Sequence, residues 1–565
     1  MKKKRVSTIL ITALLLLTTL TGCASGVTKN DPTNASASAS TSTSASTAET
    51  SNPTVQPPTQ KMKTELNIRT TFDIATIDPH WTIFYTDFYI TNQVWEGLVR
   101  FAAGDVTKFE GVLAESWEIN DEFTEFTFHL RQGVTFSDGT PFVAEDVVFS
   151  LERMAVSSGM GNKVRGVIEK CEVLDPTTVK VTTTSCTPQF LGLMASHRGM
   201  IVSKEVCGRM PDPMAAIALA DRQYMIGTGA YMIDTITPGE GASLVSNKNH
   251  YWGEPYFERL NFLLVADDST AVSAFLNGEL DQVQINTRMD KELIEADSNF
   301  KTNEIRMSGI HTIAINNSVK PFVDNLALRQ AIAYGTNEEV YGEMAFDGIA
   351  VTDKKAIISV FDEGEEAYSE DYETYEYNVE KAKAKLAEAG YAPGELTLTM
   401  STSTNMVGTA AATVFQQQMK DIGINVEVLP LQPGAFQQLQ MSGEFQIAYI
   451  LFCSIPYDAP GFHGTFFQPS GIAFFLQFDN PEFQALIAAT STAKTLEERI
   501  ALYKEAHTLI SPLAYYIPMA RAVTVMAISG EIRGDSFEPA VLTAKYRDWY
   551  MSDYEGFYDP YPGLD

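Results

Sequence analysis

The sequence predicts an α/β fold divided into at least two lobes, and three observations carry that reading. Helical segments closed by glycine run straight into short apolar strands. Val379–Ala389 is closed by Gly390 and followed by Leu396–Met400, and Phe415–Ile422 is closed by Gly423 and followed by Asn425–Leu429; such alternation marks an α/β body. Past the first 22 residues, 543 of the 565 remain, far more than one hydrophobic core serves. No period of 20–50 residues recurs, which argues against a solenoid.

The chain opens with Lys2, Lys3, Lys4 and Arg5, followed by an apolar run from Val6 through Leu14–Leu17 to Leu20. A basic start, a short apolar middle and small residues at the end are the build of a signal peptide. A spanning helix needs about 20 apolar residues, and this run is shorter and interrupted by Thr18, Thr19 and Thr21. Leu20-Thr21-Gly22-Cys23 resembles the bacterial lipobox. That resemblance implies lipidation of Cys23 and removal of residues 1–22. Residues 24–60 are nearly all Ser, Thr, Ala, Pro, Asn and Gln, too polar to offset the cost of ordering a backbone, so 23–60 reads as a lipidated Cys with a disordered tether.

The formal net charge is −30. Four basic residues precede Cys23, so a chain starting there carries −34. An acidic surface of this size argues against nucleic acid and against adhesion to anionic lipid; solubility is its plainest reading. Cys171, Cys186, Cys207 and Cys453 fit no zinc spacing, and four cysteines allow three disulfide pairings between which the sequence does not choose.

Along the body, Leu66–Thr70 reads as a strand and residues 85–98 as a helix carrying Phe88, Val94, Trp95 and Leu98. Phe126–Leu130 alternates like a strand and meets the turn Ser137-Asp138-Gly139-Thr140-Pro141. Ala144–Met154 is a helix whose first turn holds Glu145 and Asp146, favourable charges at that end. Cys171–Val173 and Thr178–Thr183 form a hairpin around Asp175-Pro176.

A set of motifs runs through this body in order. Leu113-Ala114-Glu115-Ser116-Trp117-Glu118 leads to the stretch Thr127 to Pro141 (TFHLRQGVTFSDGTP) and to Ala144-Glu145-Asp146-Val147-Val148-Phe149-Ser150-Leu151-Glu152-Arg153. Gly227-Thr228-Gly229-Ala230-Tyr231, Asn249-His250-Tyr251-Trp252-Gly253 and Phe275-Leu276-Asn277-Gly278-Glu279-Leu280-Asp281 follow. Pro321-Phe322-Val323-Asp324, Leu328-Arg329-Gln330-Ala331-Ile332, Lys383 to Tyr391 and Ile422-Gly423-Ile424-Asn425-Val426 complete the series. Together they resemble the family 5 extracellular solute-binding proteins of ABC importers, which include oligopeptide-, dipeptide- and nickel-binding members. Ala230 stands where the family has Pro, and Phe275 where it has Leu. Trp117, Phe128, Phe136 and Phe149 also read as core residues, so most of the signature concerns fold.

The resemblance implies a two-lobed clamp of the periplasmic-binding-protein type (type II) with an additional subdomain. One lobe would hold 61–100, 220–310 and 521–565, the subdomain 101–219, and the other lobe 311–520. Function would be capture of a small solute, peptide first, by lobe closure and delivery to ABC permease subunits. The working form would be a monomer, exported and lipid-anchored on the outer face of the cytoplasmic membrane or periplasmic, with no cofactor. A sugar, an opine-like compound, a nickel complex, or a surface peptide or pheromone sensor using the same clamp are the alternatives. Three segments would face the solute: Trp81, Phe84 and Tyr85; Ser401, Thr402, Ser403 and Met406; and Phe452, Cys453, Ser454, Tyr457 and Asp458. Peptide-binding relatives carry an Asp near the start of the third segment that pairs with the peptide ammonium. Here Ile455 stands two residues after Cys453, so either Asp458 does that work or the anchor is absent. Enzyme signatures do not emerge: the seven histidines are scattered, and Gly227-x-Gly229 lacks a third glycine and a phosphate-loop Lys.

Overall fold

The structure, a computed structural model, describes residues 63–82, 85–102, 105–157, 164–352, 373–453, 480–535, 537–538 and 543–552. All belong to the unit Lys61–Asp565. An eleven-stranded mixed sheet organises it. In spatial order, Asn425–Leu431, Thr397–Ser403 and Ile447–Cys453 lead to two long strands, Phe300–Ile315 and Tyr516–Ser529. Beyond them lie Gln282–Ile285, Glu65–Thr70, Arg259–Leu264, Gly241–Ser246 and Tyr231–Thr237, while Val351–Thr352 adds to Tyr516–Ser529.

The two long strands run antiparallel from Phe300 opposite Ser529 to Ala314 opposite Tyr516. Their register breaks in the middle, at two adjacent points: Arg306 faces Val523 but Ile310 faces Arg521, and His311 faces Ala520 but Thr312 faces Pro518. Extra residues on one strand bend it and sharpen its twist. On one side of the break Val525–Ile528 pairs with Gln282–Ile285, and on the other Gly309–Ile315 pairs with Ile447–Cys453. Each half of the sheet therefore has its own strands, and only the long pair crosses between them.

Each half buries both faces of its sheet, because successive side chains of a strand point to opposite sides. Ile313, Ile447 and Tyr449 join one core with Leu328, Ile332, Leu398 and Phe415, whereas Ala314, Ala448 and Ile450 join another with Phe436, Phe483 and Ile510. In the other half Met526 and Ile528 pack with Leu66, Ile68, Phe262 and Trp549, while Val525 and Ala527 pack with Val272, Phe275 and Val283. Helices around these cores start at side-chain caps. Asp267 accepts from the Thr270 N–H at 2.8 Å, Asn378 from Lys381 at 2.9 Å and Asn325 from Leu328 at 3.1 Å, contacts each worth about 1 kcal/mol.

A second, four-stranded antiparallel sheet is built from Ala114–Ile119, Glu125–Leu130, Thr178–Thr183 and Ile168–Asp175. Phe126, Phe128, Val179 and Val181 pack against Val147, Leu151 and Met154 of the helix Ala144–Val156. Of the signature aromatics, Phe128, Phe136 and Phe149 are buried, while Trp117 is half-buried against the small sheet's core.

Two helices depart from the sequence reading. The helix expected over 85–98 spans Tyr85–Val94. Gly227 and Gly229 press against its last turn, and the Gly229 N–H bonds the Val94 carbonyl at 2.9 Å. A Cβ on Gly227 would sit 1.9 Å from that carbonyl oxygen, so glycine is needed there for close approach. The helix expected from Phe415 begins at Met406, capped by Asn405. Cys171, Cys186 and Cys207 are free thiols. Every complete pairing of the four body cysteines joins two of these three, so no such pairing is formed. Burial pushes the Cys171 thiol up to about 12 and Cys207 to about 11, which keeps both unreactive.

Arg153 ties the small sheet's helix to the chain entering the main body. Its Nη1 donates to Asp78 Oδ1 and to His80 Nδ1, both at 3.0 Å. Nη2 donates to Asp78 Oδ2 and to the Ala215 carbonyl, and Nε to the Pro213 carbonyl at 3.3 Å. All five guanidinium donors are used, and both side chains of the ion pair are 0% exposed. Burial alone would raise the Asp78 pKa, but the Arg153 hydrogen bond and charge overcome it and hold the carboxylate low. His80 is brought down to about 4 by burial and by Arg153. It is therefore neutral, accepting from Arg153 at Nδ1 and donating from Nε2 to the Met200 carbonyl at 2.8 Å.

Arg153→Ala strands the buried Asp78 carboxylate, so it should destabilise the protein by about 3–5 kcal/mol in urea unfolding. A loss below about 1 kcal/mol would contradict this role.

Candidate functional site

A cavity of about 500 Å³ lies where the two halves of the large sheet meet. One wall comes from the end of Glu65–Thr70 and the turn after it (Arg69, Thr71, Phe72), with Thr86 and Tyr89 from the helix Tyr85–Val94. Asp268, Gln284 and Asn286 extend that wall. The opposite wall consists of His311, the stretch Ala345–Phe346–Asp347, Asn405, Val407 and Leu451. Val523, Thr524 and Met526 line it from the long strand Tyr516–Ser529, beside the register break. The volume lies within the roughly 300–1,000 Å³ of small-molecule sites.

The polar groups around the cavity hold one another in place. Arg69, 4% exposed, donates from Nε to the Val265 carbonyl at 2.9 Å and from Nη2 to Asp268. Asn286 Nδ2 donates to the other Asp268 oxygen at 3.0 Å, and Gln284 Nε2 to Asn286 Oδ1 at 3.0 Å. Across the cavity the Tyr449 hydroxyl bonds Nδ1 of His311, whose ring lies 4.4 Å from that of Phe346. Burial alone lowers His311 to about 3, so it is neutral, while burial raises the Tyr449 phenol well above its usual value. With the phenol donating to Nδ1, the ring proton sits on Nε2. Asn405 uses its Oδ1 to cap Gly408 at 2.7 Å, leaving its NH2 as the donor at the wall.

The two walls are also clasped at one edge. The Arg288 N–H donates to Asp347 Oδ2 at 2.7 Å, and its guanidinium to Glu343 Oε2 at 3.1 Å. Asp347 sits at φ +49°, a left-handed conformation that costs a non-glycine residue strain.

The residues expected at the site fall as follows. Trp81 stacks over the Arg153 guanidinium at 4.6 Å and is not among the residues lining the cavity. Ser401, Thr402 and Ser403 end the strand Thr397–Ser403 and are 2%, 0% and 9% exposed. Their neighbours Asn405 and Val407 reach the cavity. Tyr85 and Met406 open helices, and Phe452 and Cys453 close the strand Ile447–Cys453, directly after Leu451 of the cavity wall. Cys23, Phe84, Ser454, Tyr457 and Asp458 lie outside the described residues. The sequence reading did not single out Arg69, Asp268, His311 or Asp347. A charged residue inside the apolar strand Leu66–Thr70 was the one local signal among them.

His80 and His311 are depressed below 6.5, so the unfolded chain takes up protons that the fold excludes. Their contribution to stability is complete above pH 6.5 and declines as pH falls toward about 4 for His80 and about 3 for His311. The Cε1–H resonances of both should stay fixed from pH 8 to 5 in the folded protein. A midpoint near 6.5 for either would refute the assignment.

A profile described as "Bacterial extracellular solute-binding proteins, family 5 Middle" matches residues 108–474. The chain is 27% identical over 481 residues to heme-binding protein A of Haemophilus influenzae, covering 81% of this chain and 86% of that protein. It is 25% identical over 482 residues to the glutathione-binding protein GsiB of Escherichia coli, covering 82% and 90%. The ABC transporter-associated periplasmic binding protein DppA of Helicobacter pylori, solved with the peptide STSA, superposes with a TM-score of 0.73 at 22% identity, covering 87% of this chain and 98% of that one. A profile spanning well over half of the chain, relatives along its length and a shared two-lobed fold agree: the chain belongs to the family 5 bacterial extracellular solute-binding proteins of ABC transporters.

Proposed function

We propose that this protein captures a peptide or peptide-sized polar solute between the two halves of its large sheet and hands it to an ABC permease. The observation that carries this is the cavity of about 500 Å³ lined by both halves beside the break in the crossing strands. A solute touching both walls binds the closed form better than the open one, and that difference in affinity shifts the population toward closure. The long strand pair serves as the hinge. Amides and hydroxyls fixed around the cavity satisfy the polar groups that a buried solute brings, as capture of a peptide backbone requires. The glutathione-binding relative, whose solute is a tripeptide, supports the same size class.

On this reading one lobe holds 61–100, 220–310 and 521–565, the subdomain 101–219, and the other lobe 311–520. A lipid on Cys23, with 24–60 as tether, would hold the monomer outside the membrane near the permease. Among the described residues no helix is long and apolar enough to cross a membrane.

Native mass spectrometry of the protein purified without denaturant tests the solute. A ladder of short-peptide masses is expected; one discrete non-peptide mass would overturn the peptide reading. Cys23→Ser should shift the protein from the membrane fraction to the soluble exported fraction. Unchanged membrane association would refute lipid anchoring.

A further inference from the structure

We propose that Asp268 anchors a positively charged head group, and that the solute carries this group beside an apolar one. This deepens the solute-binding reading and rests on it. Arg69 is the only cation among the described residues lining the cavity, and it is spent on the protein. Its side chain is 1% exposed and donates to the carbonyls of Val265, Gln284 and Ala266 as well as to Asp268. It holds Asp268 in position and does not reach out to a solute carboxylate.

Asp268 is placed differently. One oxygen accepts from Arg69 and the other from Asn286, so the carboxylate cannot swing away, yet its side chain is 43% exposed at the cavity wall. Each oxygen keeps a lone pair for a further donor. The formal charges of the described lining residues are Arg69, Asp268 and Asp347, a sum of −1. His311 is neutral and adds nothing to that sum. A monocation such as an ammonium balances that charge among the described residues, whereas an anion would double it. The apolar half of the inference comes from Phe72 and Leu451, which stand on opposite walls and are 71% and 42% exposed. Large apolar side chains facing one cleft gain from an apolar group seated between them.

Calorimetric titration of the full chain with trileucine amide, N-acetyl-trileucine amide and triglycine amide tests both halves. Trileucine amide should bind at least tenfold more tightly than either of the others. Asp268→Asn should weaken trileucine amide at least tenfold and leave the acetylated probe unchanged. Phe72→Ser should narrow the gap between the trileucine and triglycine amides while preserving the effect of acetylation. Equal binding of free and acetylated probes, or wild-type affinity in Asp268→Asn, would overturn the assignment and move the anchor elsewhere. Failure of every probe to bind would overturn it too, and the solute-binding reading would then be judged separately on the mass of the solute that co-purifies.

Discussion

The antiparallel pairing of Phe300–Ile315 with Tyr516–Ser529 is the constraint on which the rest of the molecule depends. Two hundred residues, 316–515, separate the two strands in sequence, so the pair joins distant parts of the chain. Once formed, the pair is the only part of the large sheet that belongs to both halves. Its register is regular at both ends, where cores pack on each face, and broken in the middle, where the cavity lies. The register breaks bend the strands and sharpen their twist at the cavity, which is where the proposed hinge lies.

The small sheet shares no ladder with this frame and is joined to it by apolar packing of Phe149 and by a buried ion pair. Arg153 and Asp78 are both fully buried, a costly arrangement unless every donor and acceptor is matched. Here five guanidinium donors meet five acceptors, and Asp78 also accepts the backbone N–H of Ile217 at 2.8 Å. The same principle recurs at the cavity, where Arg69 is consumed by carbonyls and Asp268. In both places arginine organises acceptors contributed by segments distant in sequence.

Much of the fold was legible because local periodicity and turn chemistry agree with it. Glu125–Leu130 alternates buried and half-buried residues, and Gly139 takes φ +87° in the turn before the helix Ala144–Val156. The early start at Met406 was missed because Gly408 and Ala410–Ala412 are small and give little amphipathic signal. The extra turn expected after Val94 fails for a tertiary reason, the close approach of Gly227 and Gly229. The cavity was the least legible part. Arg69, Asp268, His311 and Asp347 come from four separate segments, each with an ordinary local setting, and only the crossing strands bring them to one place. Trp81 illustrates the reverse: an aromatic after Asp78-Pro79 looks like a wall of the cleft, but the buried guanidinium of Arg153 claims its face.

The central claim is that solute closes two halves hinged on the crossing strands. Small-angle scattering of the protein, stripped of solute and then reloaded with the solute recovered from it, addresses that claim most directly. The account predicts a smaller radius of gyration on reloading, reversed when the solute is removed. A radius of gyration that does not change on saturation would contradict it.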